Sequence, residues 1–504
     1  MPAILFVYAA VLVAGTVLFG WNLAELNAPQ REIQDSLGLN AAQFGLASSV
    51  LAIGGLVGSV IATPGMNAFG RKRVLICTAL VFGLGGLLKA GAGGAIVLTI
   101  GRFLSGTAAG SAAVIVPIYI NELAPPNSKG AFGALTQLSI NLGILSSQVL
   151  GIFLEKNGQW RLILLIGGII GFAQAVALLF LPESPSSLMA SGEIEQARKE
   201  LIKIRGTPDV EEELAAYQSQ PAGKLLFVFP TTGILLLGDT YASRPGKPVG
   251  TDNTEPMGEH DPFLEAGARL LYSGDTYTRQ PGQTEGMDGT QPTGEGAPLL
   301  EAGPTTEPEN SKIGLLEFVT KREYRFGFMI VAGVMLAQQL TGINAVVFYG
   351  VSILHDLLPN SAKYLNAAIS GVNLFVTLGA SFLFDRVSHR FLLLASMLMM
   401  ALCSLVLTMS IFSRFAVLSA IATLLFVSSF SMGLGPLPWM VASRRIEPNG
   451  VGAAQSIGLT ANWMGTFLVS FAVPVIASTA GMPVVFAIFA VLGFIFYFWG
   501  LRYL

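Results

Sequence analysis

The sequence predicts an all-α membrane protein with twelve transmembrane helices in two sets of six, and three observations support this fold class. Charged residues make up 12% of the 504 residues, where a soluble domain carries roughly 25%. Hydrophobic residues make up 52% of the chain, and its mean hydropathy is +0.62. Apolar runs of about 20 residues, the length that crosses the hydrocarbon core of a bilayer, recur twelve times.

The apolar runs fall on either side of one polar stretch. The first six lie near residues 3–25, 43–63, 74–94, 98–120, 131–154 and 161–181. The second six lie near residues 327–354, 364–384, 390–411, 415–441, 453–477 and 482–502. No positive residue precedes the first run and no clear cleavage site follows it, so we expect a retained helix and not a signal peptide. The 58 glycines fit closely packed membrane helices, where small residues let backbones approach.

The polar stretch between the two sets divides into two parts. Residues 192–217 are charged and helix-prone with an apolar face, which predicts short surface helices. Residues 218–311 are rich in Gly, Pro, Thr and Glu, which predicts disorder. Within them, 238–267 is duplicated in tandem as 274–303, and two copies without apolar periodicity cannot bury a core. The predicted organisation starts with an N-terminal six-helix bundle at 1–181 and intracellular helices at 182–217. A disordered cytosolic loop with the tandem repeat follows at 218–311, and a C-terminal six-helix bundle with a short helical segment before it occupies 312–504.

The distribution of Lys and Arg predicts the orientation of the chain. With the N-terminus in the cytosol, the cytosolic loops and the flanks of the polar stretch hold about sixteen of these residues, and the opposite side holds about seven. An excess of Lys and Arg in short loops marks the cytosolic side. We therefore expect both termini and the polar stretch to face the cytosol.

Neutral amide side chains within the apolar runs indicate the kind of solute. The hydroxyls of a neutral solute would need hydrogen-bonding partners, and an amide offers both donor and acceptor. A buried charge would cost more free energy, and a neutral solute does not require one. The candidate amides are Gln137, Gln338, Gln339, Asn344, Asn373 and Asn462. Trp439 and Trp463 could add flat apolar faces with an N–H group. The alternative for each amide is an interhelical hydrogen bond without a binding role, and the alternative for each Trp is core packing or anchoring at the membrane interface.

The seventh run holds three of these amides close together in sequence. On an ideal helix Gln339 and Asn344 would lie about 140° apart around the axis. Local unwinding at Thr341–Gly342 would close that gap. We therefore expect an interrupted helix at this point.

Eight segments, in their order and spacing, resemble the sugar porters of the major facilitator superfamily, especially the animal facilitative glucose transporters. They are FGWNLAELNAPQ (19–30), GRKR (70–73), GRFLSG (101–106), PIYINELAPPNSKGAFGALTQL (117–138), PESP (182–185), QQLTGINAVVFY (338–349), DRVSHR (385–390) and GPLPW (435–439). No single segment is specific, but the set is. The resemblance covers nearly the whole chain except 218–311.

The resemblance implies the major facilitator fold, in which two six-helix bundles bind the solute between them at mid-depth. It places seven residues on the family's sugar-contact positions: Gln137, Gln338, Gln339, Asn344, Asn373, Trp439 and Trp463. Asn462 is adjacent to them. Thr466 stands three residues past Trp463, where the glucose carriers usually have Asn. The helices predicted in 192–217 would match the family's intracellular helical bundle.

The resemblance also implies a cytosolic charge network that latches the two bundles together. Its expected members in this chain are Arg71, Arg73, Glu122, Lys129, Glu183, Asp385, Arg386 and Arg444. Lys129 stands where the family pattern has Arg and lacks the bidentate fork. Arg444 stands where the family has an acidic residue, and Ser431 replaces a family Glu. These departures predict a rewired C-terminal half of the gate.

Two residues of the first helix bear on ion coupling. Proton-coupled sugar porters typically carry an Asp where this chain has Asn22. An amide cannot bind and release a proton, so the resemblance favours uniport. Glu25 remains a possible proton site, because an ionisable residue in a span is a functional candidate. The alternative for Glu25 is a carboxylate paired near the outer mouth.

A short motif in the predicted loop resembles a sorting signal. Residues 295–300 read EGAPLL, similar to the acidic dileucine signals through which clathrin-type adaptors route membrane proteins to lysosomes or vacuoles. Leu299 and Leu300 would enter apolar pockets and Glu295 would meet a basic patch, while the proline favours the extended form. The alternative is a solvated linker without a role. The vacuolar or lysosomal membrane and the plasma membrane both stay open as locations.

Other function classes lack support in the sequence. A net charge of −2 gives no basic surface for nucleic acid. Cys77 and Cys403 lie in apolar runs without metal-ligand spacing or a disulfide framework. The three histidines lack an evident nucleophile or metal partner, so we expect no enzyme and no cofactor. We expect a carrier of a hexose or similar neutral sugar by facilitative uniport. A non-transporting sugar sensor and a proton-coupled carrier of another polyol or neutral metabolite stay open as alternatives.

Overall fold

The structure is a computed structural model. All regular secondary structure among its described residues is helical. These are 3–125, 129–154, 158–218, 321–322, 324–355, 358, 360–381, 383, 386–438 and 451–504. From residue 219 onward, the predicted disordered loop lies outside the described residues. The sorting motif with Glu295, Leu299 and Leu300 lies outside them as well.

Six long helices and one short helix form the N-terminal half. They are α1 (Ala3–Ala24), α2 (Gln30–Leu37), α3 (Ala41–Phe69), α4 (Arg71–Ala90), α5 (Ala95–Leu123), α6 (Lys129–Leu154) and α7 (Trp160–Leu178). Asn40 caps α3, because its side chain accepts a hydrogen bond from Gln43 N while Gln43 Oε1 accepts one from Asn40 N. Gly70 separates α3 from α4 at a φ of 85°, a conformation that glycine adopts without strain.

Three short helices follow α7. They are α8 (Pro185–Ala190), α9 (Ile194–Arg205) and α10 (Glu211–Gln218). Ser184 caps α8, which begins with a proline at its first turn. Arg205 joins α9 to α10 through Glu213 at 2.6 Å and donates to Leu123 O, at the end of α5, at 2.6 Å. These helices therefore attach to the N-terminal bundle through α5.

The C-terminal half adds six further crossings. Its helices are α11 (Arg325–Leu340), α12 (Ile343–His355), α13 (Ala362–Ser381), α14 (His389–Phe412), α15 (Ala416–Met432), α16 (Val451–Ala480) and α17 (Met482–Tyr503). α11 and α12 are two parts of one crossing, interrupted at Thr341–Gly342. Among the described residues, ten helices are long and apolar enough to span a membrane, with the α11–α12 pair counted as one, and α15 is a shorter apolar helix. The predicted twelve-helix fold is confirmed.

Small residues allow close contact between α3 and α5 within the N-terminal bundle. A Cβ atom at Gly110 would lie only 1.9 Å from Gly55 O. Ser59 donates a hydrogen bond across this interface to Gly110 O, and Ser111 donates one to Gly58 O. Glycines in these apolar runs therefore serve backbone approach, as in other membrane helix pairs.

The two bundles meet mainly along two helix pairs, α3 with α16 and α6 with α13, and α1 makes a smaller contact with α12. We name the two ends of the bundles by their residues: the α2 face carries α2, and the Arg71 face carries the α3–α4 junction. Near the α2 face, a Cβ at Gly45 would lie 2.8 Å from Pro474 Cγ. Deeper along the same pair, a Cβ at Gly55 would lie 2.6 Å from the Trp463 ring. The Trp463 indole also donates to Ser59 Oγ at 3.1 Å.

Candidate functional site

The interruption between α11 and α12 brings three amide side chains together. Gly342 has a φ of 100°, and a Cβ there would lie 2.5 Å from the Phe489 ring, so both the backbone conformation and the space require glycine. Across this break, Asn344 Nδ2 donates to Gln339 Oε1 at 2.5 Å. Gln339 Nε2 in turn donates to Gln338 Oε1 at 3.3 Å. The unwinding expected from the sequence is present.

Helix α16 and the residues after α15 complete this group, which we call the amide cluster: Gln338, Gln339, Asn344, Asn462 and Thr466. Asn462 Nδ2 donates to Gln338 Oε1 at 2.5 Å, and Asn344 Nδ2 donates to Thr466 Oγ1 at 3.0 Å. Gln338 Nε2 donates to Leu434 O at 2.8 Å and to Gly435 O at 2.7 Å. Gln338 is only 2% exposed, so its amide is satisfied inside the protein.

A cavity of about 240 Å³, including space open to solvent, lies between α6 of one bundle and α13 and α15 of the other. We call it the interbundle cavity. Its lining residues are Gln137, Asn141, Asn373, Thr377, Phe430, Ser431, Gly435 and Pro436. This volume is below the about 300–1,000 Å³ that sites for small molecules typically enclose, so the cavity is narrow in this conformation. None of these described lining residues is ionisable.

The interbundle cavity adjoins the amide cluster through one backbone group. Gly435 lines the cavity and its carbonyl accepts the hydrogen bond from Gln338. Ser431 Oγ donates to Asn373 Oδ1 at 2.5 Å on the same side of the cavity, in the C-terminal bundle. The structure thus groups five predicted amides, Gln338, Gln339, Asn344, Asn373 and Asn462, in the C-terminal bundle, with Gln137 contributed by the N-terminal bundle. Their role in solute binding stays a prediction.

The two tryptophans are placed differently. Trp463 is 4% exposed and packs between the bundles against Gly55 and Phe19. It is not among the residues that line the interbundle cavity. Trp439 lies outside the described residues.

Part of the predicted charge network is assembled at the Arg71 face. Arg71 Nη2 lies 3.1 Å from Glu122 Oε1, and Glu122 Oε2 accepts from Ser184 Oγ at 2.5 Å. Glu183 Oε1 accepts from Lys72 N at 3.1 Å. These contacts tie the start of α4 and the end of α5 to the start of α8.

The other predicted network members do not join these contacts among the described residues. The Arg73 and Arg386 side chains are exposed. Asp385, Arg444 and the side chain of Lys129 lie outside the described part of the chain. The proposed rewiring around Arg444 therefore stays a prediction.

Glu25 lies in a buried ion cluster near the α2 face, made of Glu25, Lys89 and Arg102. Its Oε1 contacts Lys89 Nζ and lies 3.1 Å from Arg102 Nη1. Lys89 Nζ also donates to Asn22 Oδ1 at 2.6 Å, and Arg102 Nη2 donates to Ser48 O at 3.1 Å. All three charged side chains are at most 1% exposed. Two cations therefore face one carboxylate.

A second polar contact near the α2 face joins the two bundles. Asn27, which is 1% exposed, donates from Nδ2 to Val347 O at 2.8 Å. Its Oδ1 accepts from Val351 N at 2.9 Å. Val347 O and Val351 N are the two groups that one turn of an α-helix joins. The Asn27 amide thus holds one turn of α12 at both ends.

Four residues of these sites were not predicted from the sequence: Asn27, Asn141, Thr377 and Lys89. Asn141 and Thr377 line the interbundle cavity, and each lies four residues after a predicted amide, on the same helix face. That spacing could have identified them. Lys89, at the end of α4, gives no such local signal, because its partner Glu25 is far away in sequence.

Known proteins are similar to this chain over nearly its whole length. The family model described as sugar (and other) transporter matches residues 7–224 and 291–503. A probable metabolite transport protein of Saccharomyces cerevisiae is 29% identical over 96% of this chain and 88% of its own. The facilitated glucose transporter member 3 of solute carrier family 2 from Gallus gallus is 27% identical over 96% and 85%. The xylose transporter of E. coli, in an inward-open conformation, has a TM-score of 0.72 at 17% identity, over 99% and 96%.

Proposed function

Because the chain belongs to the sugar transporter family of the major facilitator superfamily, we propose that it carries a hexose or similar neutral sugar by facilitative uniport. The observation that supports this substrate class most directly is the chemistry of the interbundle cavity. Amides and hydroxyls supply its polar surface, and these groups can exchange hydrogen bonds with sugar hydroxyls. A relative described as a facilitated glucose transporter supports the same class.

Alternating access is the mechanism that fits two bundles with a cavity between them. The cavity is lined from both bundles, by α6 on one side and by α13 and α15 on the other. Rocking of one bundle against the other would therefore expose the same polar groups first to one side and then to the other. From the excess of Lys and Arg, we place the Arg71 face and both termini in the cytosol.

Uniport is favoured by the state of the ionisable groups near α1. Glu25 is the carboxylate in this region, and it contacts both Lys89 and Arg102. Asn22 stands beside it as a neutral amide that accepts a hydrogen bond from Lys89. The Glu25 carboxylate thus has two buried cationic partners and does not line the interbundle cavity. Proton symport is the second candidate, since Glu25 is an ionisable group next to a membrane span.

Replacement of Gln338 by alanine tests the amide site. We expect kcat/KM for labelled glucose uptake into proteoliposomes to fall about 10- to 100-fold, because one buried amide organises Asn462, Gln339 and Gly435. An inward proton gradient should leave uptake by the unmodified protein unchanged. Acceleration by the gradient would instead assign proton symport and point to Glu25.

Gln174→Ala is the matched control for Gln338→Ala. Gln174 is also a buried amide, 4% exposed, and it donates to Val11 O within the N-terminal bundle. It does not line the interbundle cavity. We expect uptake by this variant to stay near that of the unmodified protein. An equal loss in both variants would argue against a binding role for Gln338.

For the location of the carrier, we propose a vacuolar or lysosomal membrane reached through an adaptor that reads the EGAPLL motif. Leu299→Ala combined with Leu300→Ala should shift a fluorescently tagged protein towards the plasma membrane of the host cell, since both apolar anchors of the signal are removed. Phe263→Ala with Leu264→Ala is the control, because these residues stand at the corresponding positions of the first copy of the repeat. It should leave the distribution unchanged. An unchanged distribution after loss of Leu299 and Leu300 would leave the motif a linker.

A further inference from the structure

One hydrogen bond crosses between the bundles at the wall of the interbundle cavity. Asn141 Nδ2, on α6, donates to Thr377 Oγ1, on α13, at 3.0 Å. Asn141 is 4% exposed, and both residues line the cavity. A contact between the two moving bodies therefore lies at the place proposed for the solute.

The bond is the central link of a chain that runs from one bundle to the other. Gln137 Nε2 donates to Asn141 Oδ1 at 3.3 Å. Thr377 Oγ1 donates onward to Asn373 O at 2.8 Å, and Asn373 Oδ1 accepts from Ser431 at 2.5 Å. Gln137 and Asn373 are the amides predicted to contact the solute from the two bundles, and each is one hydrogen bond away from the crossing bond. Any solute hydroxyl that binds to either amide enters this chain.

Two other hydrogen bonds join the same helices closer to the α2 face. Ser370 Oγ donates to Gln148 Oε1 at 2.5 Å, and Lys363 Nζ donates to Ile152 O at 3.1 Å. Neither of these side-chain pairs lines the cavity. The contact between α6 and α13 therefore has two parts. A solute in the cavity can reach the pair of Asn141 and Thr377, but it cannot reach the two pairs nearer the α2 face.

We propose that Asn141 and Thr377 form a contact between the bundles that the solute can replace. A sugar hydroxyl takes the place of Thr377 as the hydrogen-bonding partner of the Asn141 amide. Occupancy of the cavity is thereby linked to separation of α6 from α13. This proposal rests on the proposed carrier function and deepens it. Exchange of one neutral hydroxyl partner for another changes the hydrogen-bond count by zero. A neutral bond can therefore open and re-form in each cycle, whereas a buried ion pair resists separation.

Transport kinetics of two isosteric or near-isosteric variants test the proposal. Asn141→Leu removes the amide, and Thr377→Val removes the hydroxyl while keeping the branched shape. Asn141→Leu should raise KM for glucose about tenfold, the effect of one lost hydrogen bond to the solute. Thr377→Val removes the partner that the solute replaces on Asn141. We therefore expect this variant to change kcat without raising KM. The double variant should match Asn141→Leu in KM, because residues that act through one contact are not additive.

Ser370→Ala is the matched control. It removes a bond between the same two helices, with Gln148, but away from the cavity. It should leave KM unchanged. The proposal is overturned if Asn141→Leu leaves KM unchanged, or if Ser370→Ala raises KM as much as Asn141→Leu does.

Cross-linking provides a readout that does not depend on transport. The Asn141→Cys/Thr377→Cys pair, with Cys77→Ser and Cys403→Ala to remove both natural thiols, is treated in membranes with a short bifunctional thiol reagent. We expect a cross-link in the absence of sugar and a slower reaction with saturating glucose. A rate that glucose does not alter, in a protein whose unmodified form transports glucose, overturns the proposal. If the unmodified protein transports no sugar, the proposed function fails and this inference fails with it. In that case, formation of the cross-link shows that the absence of transport is not due to misfolding.

Discussion

Replacement of Glu25 by glutamine is expected to lower the free energy of unfolding by about 3–5 kcal/mol, the usual cost of removing one partner from a buried ion pair. Glu25 is fully buried with Lys89 and Arg102. Without the charge of Glu25, the cations of Lys89 and Arg102 would remain close together in a medium of low polarity, because both side chains are at most 1% exposed. Thermal unfolding of the detergent-purified variant measures the effect as a lower Tm.

Two further variants separate this charge effect from a loss of packing. Glu25→Gln combined with Lys89→Met has the same net charge in the cluster as the natural chain, so most of the lost stability should return. Glu211→Gln breaks an ion pair with Arg198 whose carboxylate side is 62% exposed, and exposed pairs contribute only about 0–1 kcal/mol. A Tm for Glu25→Gln equal to that of Glu211→Gln would contradict the assignment of a buried, mutually dependent cluster.

Replacement of Asn27 by alanine is expected to reduce the turnover of transport about 10- to 100-fold. The amide of Asn27 bonds to both Val347 O and Val351 N, and two such hydrogen bonds together contribute about 1–3 kcal/mol. Because Asn27 follows α1 and its partners lie on α12, the variant should destabilise the state in which the bundles are closed at the α2 face. Glucose uptake into proteoliposomes measures turnover, and thermal unfolding reports whether the fold is retained.

Ser352→Ala is the appropriate comparison for Asn27→Ala. Ser352 Oγ donates a single hydrogen bond to Gln30 Oε1 at 2.6 Å across the same pair of segments, but this site is only partly buried. The loss of one such bond, about 0.5–1.5 kcal/mol, should reduce turnover by much less. Equal turnover in the two variants would show that the double contact of Asn27 with α12 has no special role in closure.

Much of the candidate site could be predicted from residue type, but not its division into two parts. The amides in the seventh, eighth and eleventh runs are recognisable because a neutral polar side chain is rare in an apolar helix and suits a hydroxylated solute. The sequence did not show that Gln338 binds the carbonyl of Gly435 while Gln137 and Asn373 face a cavity beside it. Which amides share a cavity depends on the rotation of each helix about its axis, and neighbouring helices set that rotation.

The number of crossings and the interruption at Thr341–Gly342 could be predicted from the sequence alone. These features are local, because the hydrocarbon thickness sets the length of each apolar run and a glycine with positive φ sets the break. Only the packed helices show that Lys89 contacts Glu25, that Asn27 bonds to α12 and that Asn141 bonds to Thr377. Each of these contacts joins residues far apart in the chain, and only the packing of whole helices against one another brings such residues within hydrogen-bonding distance.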